Sequence, residues 1–71
     1  MPNTPWPAQR HRSETYRGVE ISVSAFRKPA GWSWAYVVYG LTGHSAGAML
    51  PTAEAALNRG MLAARARVDR P

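Results

Sequence analysis

The residues best suited to chemistry are Gly43, His44, Ser45, Ala46 and Gly47, which match the G-x-S-x-G pattern of serine hydrolases. That pattern works on a strained strand-to-helix turn, with an acid and a histidine supplied from later in the chain. No histidine follows Ser45 in this sequence. The pattern is therefore interpreted as part of a glycine-bearing hairpin, and we do not expect an enzyme.

Metal and cofactor chemistry have no better support in the sequence. The two histidines and the four carboxylates have no metal-ligand spacing, and no two carboxylates are close in sequence. No glycine-rich loop joins a strand to a helix in the manner that binds phosphate. We therefore predict no metal, no cofactor and no small-molecule substrate. The carboxylates are Glu14, Glu20, Glu54 and Asp69.

Basic residues are the remaining candidates for binding. The chain has 71 residues, nine of them basic, and a formal net charge of +5. Such a charge attracts polyanions through counterion release at phosphates. The arginines at the end of the expected helix also complement its dipole, so their charge does not by itself indicate a function. The candidate nucleic-acid contacts are Arg10, Arg12, Arg17, Arg27 and Lys28.

The pattern of apolar residues divides the chain into an N-terminal tail and one domain. A proline-rich basic segment, residues 1–14, has no regular period and is predicted to be a flexible, disordered tail. From residue 15 a single domain is expected. Apolar residues alternate from Val19 to Ala25, an aromatic strand follows over residues 32–39, and a third strand is expected over about 45–50. Turns are expected at residues 27–31 and 40–43.

A helix follows the strands. Thr52 is a good N-cap and Glu54 suits the first turn, while small and apolar residues recur at three- and four-residue spacing up to Val68. We therefore predict an α+β fold of order β-β-β-α, a three-stranded antiparallel sheet backed by one C-terminal helix. The apolar face of the helix is small, and we expect an aromatic ring beneath Gly60.

The two faces of this sheet have different expected roles. Trp34, Tyr36 and Val38 should form the core with Val19, Ile21 and Val23. The other face is more apolar than a solvated sheet needs to be, which suggests that something covers it. The tail through Trp6, a second copy of the chain and a partner protein all remain open. The candidate protein-contact residues on this face are Phe26, Ala35, Val37 and Tyr39.

Three short motifs carry a family resemblance: Tyr16-Arg17-Gly18-Val19, then Trp34-Ala35, then the Thr52–Ala56 helix start. Over residues 16–68 this pattern resembles the plant ethylene-response-factor DNA-binding domain, and in shape the arm-type domain of phage integrases. The resemblance implies a three-stranded sheet that lies in the DNA major groove. The same Tyr-Arg-Gly start, tryptophan strand and helix start resemble small uncharacterised proteobacterial proteins of β-β-β-α pattern.

Most DNA-contacting residues of the first family have no counterpart here. Glu20 and Ser22 stand where that family places arginines, and only Arg17 and Gly18 match its contact set. Base reading by bidentate arginine is therefore not implied. The leading hypothesis is a binding module that acts by protein contact or self-association through the open sheet face, and the alternative is nucleic-acid binding through backbone contacts.

The expected location is the cytoplasm. The chain has no cysteine, which is what a reducing compartment permits, and its N-terminus does not resemble a signal peptide. The longest nearly apolar run, residues 34–41, is too short to span a bilayer. No membrane contact is therefore predicted.

Overall fold

Four antiparallel strands and one helix make up the fold. The computed structural model describes residues 9–45 and 49–70. The strands β1 (Gln9–Tyr16), β2 (Val19–Lys28), β3 (Gly31–Val38) and β4 (Leu41–His44) form one sheet in the order of the sequence, and α1 spans Ala53–Asp69. The predicted α+β class, with an antiparallel sheet backed by a C-terminal helix, is confirmed. The sheet has four strands, not the three that were expected.

The additional strand is β1, which corrects the interpretation of residues 9–14 as part of the tail. It pairs with β2 along its whole length, from Gln9 opposite Phe26 to Tyr16 opposite Val19. A two-residue turn joins the strands, and both of its residues have positive φ, 52° at Arg17 and 77° at Gly18. Such turns match the twist of an antiparallel hairpin. Residues 1–8, including Trp6, lie outside the described residues.

The end of the sheet also differs from the prediction. Tyr39 and Gly40 form a second turn with positive φ, 55° and 73°, so β4 begins at Leu41, before the expected strand at 45–50. Residues 46–48 lie outside the described residues. Leu50 and Trp32 form two backbone hydrogen bonds, of 2.8 and 2.9 Å. The chain therefore returns to the first residues of β3 before the helix begins.

The helix begins as the sequence predicts. The side chain of Thr52 accepts a hydrogen bond from the backbone N–H of Ala55 at 3.0 Å, and Glu54 lies in the first turn. This cap satisfies one of the N–H groups that a helix leaves unpaired at its start. The buried face is small, as expected, and consists of Ala53, Ala56, Leu57, Gly60, Met61 and Ala64.

The core lies between this small face and the two central strands. Ile21, Val23 and Val38 are fully buried, and Trp34 and Tyr36 are half-buried against them with stacked rings 6.2 Å apart. A side chain at Gly60 would meet Val23 and Trp34. The close approach of helix and sheet therefore depends on that glycine, and the predicted ring beneath it is Trp34.

Within residues 9–45 and 49–70, no helix combines the length and the apolar character needed to cross a bilayer.

Candidate interaction surface

Two ion pairs join β1 to the helix and a third joins the β1–β2 turn to it, and we call this line of contacts the seam. Arg65 holds Glu14 with two hydrogen bonds, at 2.7 and 2.8 Å. Arg12 pairs with Glu54 at 3.3 Å. The seam is completed by Arg17 and Asp69 at 3.3 Å, and Tyr16 also donates a hydrogen bond to Asp69 at 2.9 Å.

The central pair of the seam is the best formed. The two-pronged hydrogen bond from Arg65 lowers the pKa of Glu14, and the same bond raises the pKa of Arg65. Burial acts in the opposite direction on both groups and is outweighed. A planar guanidinium matches a carboxylate in this geometry, which makes the pair directional as well as attractive. Glu14 and Arg65 therefore link β1 to the edge of the helix, which packs mainly over β2 and β3.

The seam uses three of the four acids in the chain. All thirteen charged residues lie in the described ranges, so the remaining charge can be located. Three arginines pair with Glu14, Glu54 and Asp69, which leaves six basic residues and Glu20 without an opposite partner among the described residues. The six are Arg10, Arg27, Lys28, Arg59, Arg67 and Arg70.

The five candidate nucleic-acid contacts do not form one group. Arg12 and Arg17 belong to the seam. Arg10 lies opposite Ala25, so Arg27 is its diagonal neighbour on the helix side of the sheet, and Lys28 is next along β2. Arg17 lies at the other end of the sheet, roughly 26 Å away along a strand of eight residues. Arg10, Arg27 and Lys28 therefore form a smaller basic cluster at the β2–β3 hairpin.

One face of the sheet carries no other element of the described chain, and we call it the open face. Helix α1 packs against β2 and β3 from the opposite side. Because side chains alternate along a strand, the pairing registers assign every residue of the open face. They are Gln9, His11, Ser13, Thr15, Glu20, Ser22, Ser24, Phe26, Lys28, Ser33, Ala35, Val37, Thr42 and His44.

The open face holds three of the four candidate protein-contact residues. Phe26, Ala35 and Val37 lie on the two central strands, and Val37 is 45% exposed. Tyr39 lies in the β3–β4 turn, 63% exposed, and is not part of the regular face. Sequence reasoning missed that these residues stand among small hydroxyl side chains. The signal in the sequence was that Ser22 and Ser24 occupy alternate positions of β2, on the side that faces away from the helix.

A single row crosses the open face at its centre. Pairing aligns His11 on β1 with Ser24, Ser24 with Ala35, and Ala35 with His44 on β4. His11 Nδ1 and Ser24 Oγ share a hydrogen bond of 3.2 Å. The middle of the row consists of serine and alanine, so another surface can approach the backbone of β2 and β3 closely.

The serine of the G-x-S-x-G pattern has a structural partner. Ser45 Oγ accepts a hydrogen bond from the backbone N–H of Trp34 at 3.2 Å. Gly43 lies against the ring of Tyr36, and any side chain at this position would collide with that ring. Both residues thus hold β4 against β3. The last two residues of the pattern, Ala46 and Gly47, lie outside the described residues.

A cleft of about 250 Å³ follows the seam between β1 and the helix. Its charged groups already pair with one another or with a neighbouring helix residue, so they offer little charge for a bound ligand. The lining residues are Arg12, Glu14, Asn58, Met61, Leu62 and Arg65.

Within the described residues, no group of three histidine or acidic side chains lies close enough to hold a metal ion. Comparison with protein-family models, with curated proteins and with solved structures finds no match to this chain.

Proposed function

We propose that this chain is a small, non-enzymatic binding module that contacts protein through the open face of its sheet. One observation carries the proposal: the helix covers one side of the sheet, and nothing in the described chain covers the other. The centre of that side is uncharged and holds Phe26, Ala35 and Val37. Burying such side chains against protein contributes roughly 25 cal/mol per Å² of apolar area.

The remaining side chains favour contact with a flat surface. Serine and alanine project little from the backbone, so a second sheet could pack at the usual spacing of about 10 Å. Hydroxyl groups on the edge strands, those of Ser13, Thr15 and Thr42, can keep their water or bond to the partner. A serine-rich face therefore tolerates both the free and the bound state, as a reversible binding module requires.

Photo-cross-linking tests this proposal, and the absence of native cysteine makes the labelling specific. The purified chain is labelled with a benzophenone at Val37→Cys on the open face, or at Leu62→Cys on the helix beside the cleft as the matched control, and is then delivered into cells. The two native residues are similarly exposed, 45% and 59%. The proposal expects protein cross-links in cells from position 37 alone, lost when Ser22→Arg is added on the same face. Equal products from both positions, or none from position 37, would contradict it.

A second candidate function is nucleic-acid binding by backbone contacts. The observation in its favour is the basic cluster of Arg10, Arg27 and Lys28, which has no acidic partner among the described residues. Such a cluster can position phosphates without reading bases. The cluster has only three basic residues, and few phosphate contacts keep this candidate behind protein contact.

An amide-shift titration with duplex and single-stranded oligonucleotides tests the second candidate. Binding should weaken steeply as salt rises, because phosphate contacts release counterions. Arg27→Ala combined with Lys28→Ala should weaken it, and Arg17→Ala is the matched control, since that side chain is held by Asp69. Unchanged amide signals around Lys28 at low salt would rule the candidate out.

A further inference from the structure

The open face has opposite charges at the two ends of one strand. Glu20 and Lys28 both lie on β2 and share the open face. They are eight residues apart, or roughly 26 Å, and Ser24 stands midway between them. Neither has an ion-pair partner among the described residues. Charge is therefore separated along the open face, with a negative side chain at one end and a positive side chain at the other.

From this arrangement we infer that the occupant of the open face is a second copy of this chain, packed face to face about a two-fold axis along the central row. The inference rests on the proposed function and specifies its partner. An axis through His11, Ser24, Ala35 and His44 runs across the strands, so each strand lies over its own copy in the reverse direction. Glu20 of each copy then faces Lys28 of the other, twice in the dimer.

The other simple arrangement is disfavoured by the same two residues. If the axis ran along β2, so that the strands of the two copies had the same direction, Glu20 would face Glu20 and Lys28 would face Lys28. Like charges that oppose each other across an interface are strongly unfavourable. Moving the axis to the row of Ser22 leaves both charges without a partner. A same-direction axis between β2 and β3 would also leave both charges unpaired, because β3 has no charged residue. Of these arrangements, only the axis along the central row pairs both charges.

Side-chain size supports the same axis. On β2 the axis places Phe26 of one copy over Ser22 of the other, and on β3 it places Val37 over Ser33. Each larger apolar group thus faces a small one, as interdigitating faces require. On the two central strands the axis passes over Ser24 and Ala35, where small side chains let the two sheets come closest. On the outer strands it places His11 and His44 each opposite its own copy. Charge and size are complementary about one axis, although neither depends on the other.

The size of the face predicts a weak dimer. The four strands have 8, 10, 8 and 4 residues, which at about 3.3 Å by 4.8 Å for each residue give at most about 500 Å² per copy. A standard stable interface buries about 800 Å² per partner, so the dimer should form only at high micromolar concentration, roughly 100 µM or above. Sedimentation equilibrium up to millimolar concentration covers this range.

Charge reversal tests the inference with the full chain. Glu20→Lys alone and Lys28→Glu alone should each weaken self-association by about tenfold or more, because both symmetry-related pairs become like-charged. An equimolar mixture of the two variants should associate as the wild type does, since each contact in the mixed dimer again joins lysine to glutamate. Arg59→Glu, on an exposed helix residue, is the control with the same charge change as Lys28→Glu.

The outcomes separate the two proposals. Restored association in the mixture, with Arg59→Glu unchanged from wild type, supports the two-fold dimer. If Val37→Lys abolishes association but the charge reversals behave like Arg59→Glu, the axis is wrong and the open face remains the contact. If the purified chain stays monomeric while position 37 cross-links to other proteins, the second copy is overturned and protein contact is retained. The absence of any cross-link from position 37, both in cells and with the purified chain at millimolar concentration, overturns both.

Discussion

Replacing Gly60 by alanine tests how closely the helix approaches the sheet. A Cβ at this position would lie 2.5 Å from Val23 Cγ1 and 3.3 Å from Trp34 Cβ. Helix propensity alone favours alanine over glycine by about 1 kcal/mol. The contact with Val23 acts in the opposite direction, so the sign of the result depends on whether Val23 can move.

The surroundings of Val23 indicate that it cannot move cheaply. Its side chain is fully buried between Ile21 and Ala25 on the strand, which are also fully buried, and its β-branched shape restricts its rotamers. Overpacking of a close-packed core costs about 1 to 3 kcal/mol. We therefore expect Gly60→Ala to destabilise the protein by about 1 kcal/mol net, which lowers Tm by roughly 4 to 8 °C in a domain of this size.

A double-mutant cycle isolates this contact. Urea unfolding is measured for Gly60→Ala, for Val23→Ala and for the pair. Because Val23→Ala removes the Cγ1 atom, Gly60→Ala should become neutral or stabilising in that background, by up to about 1 kcal/mol. A stability gain from Gly60→Ala in the wild-type background would refute the reasoning, as would the same loss in both backgrounds.

Three further changes test the cap, the seam and the β4 contact. Thr52→Ala should cost about 1 kcal/mol of unfolding free energy in urea, and Thr52→Ser should retain most of it. The lowered pKa of Glu14 means that its stabilisation is complete above the ordinary value of 4.5 and is lost as pH falls through the lower folded value. Urea midpoints over an acid pH series should therefore fall less in Glu14→Gln than in the wild type. Gly43→Ala should displace the Tyr36 ring, which a changed near-ultraviolet circular dichroism spectrum would report; an unchanged spectrum would contradict the contact.

Elements with one-sided burial were predictable from the sequence. The second and third strands and the helix each bury one face against the other layer, and their apolar residues repeat with period two or 3.6 as a result. Strand β2 starts at Val19, as predicted, and α1 follows its predicted cap at Thr52. The periodic pattern records burial directly, so these elements needed no long-range information.

Strand β1 could not be predicted in this way, because neither of its faces is apolar. One face lies beside the helix edge and is held by ion pairs, and the other belongs to the open face. The partner of Glu14 is Arg65, which lies 51 residues later in the sequence, and no local pattern predicts that these two residues pair. The remaining local signal was Arg17-Gly18, a pair compatible with a two-residue hairpin turn.

The start of β4 was missed for a different reason. The turn that precedes it places Tyr39 at a φ of 55°, a conformation that a bulky residue rarely adopts. Sequence patterns assign such turns to glycine or asparagine, so the expected turn was shifted to residues 40–43. The open face was anticipated from Phe26, Ala35 and Val37, but its central row spans four strands and needed the true register.

The distribution of charge connects the fold to the proposed interface. Three acids are used in fastening the helix to β1, so a chain of net charge +5 has a single acid left for its surfaces. That acid is Glu20, and it lies on the open face opposite in sign and in position to Lys28. The other unpaired cations lie off this face, where they keep copies apart in most orientations. The arrangement in which Glu20 of each copy faces Lys28 of the other is therefore favoured over arrangements in which the basic surfaces of two copies face each other. Two side chains thus determine how the copies are oriented in a weak dimer.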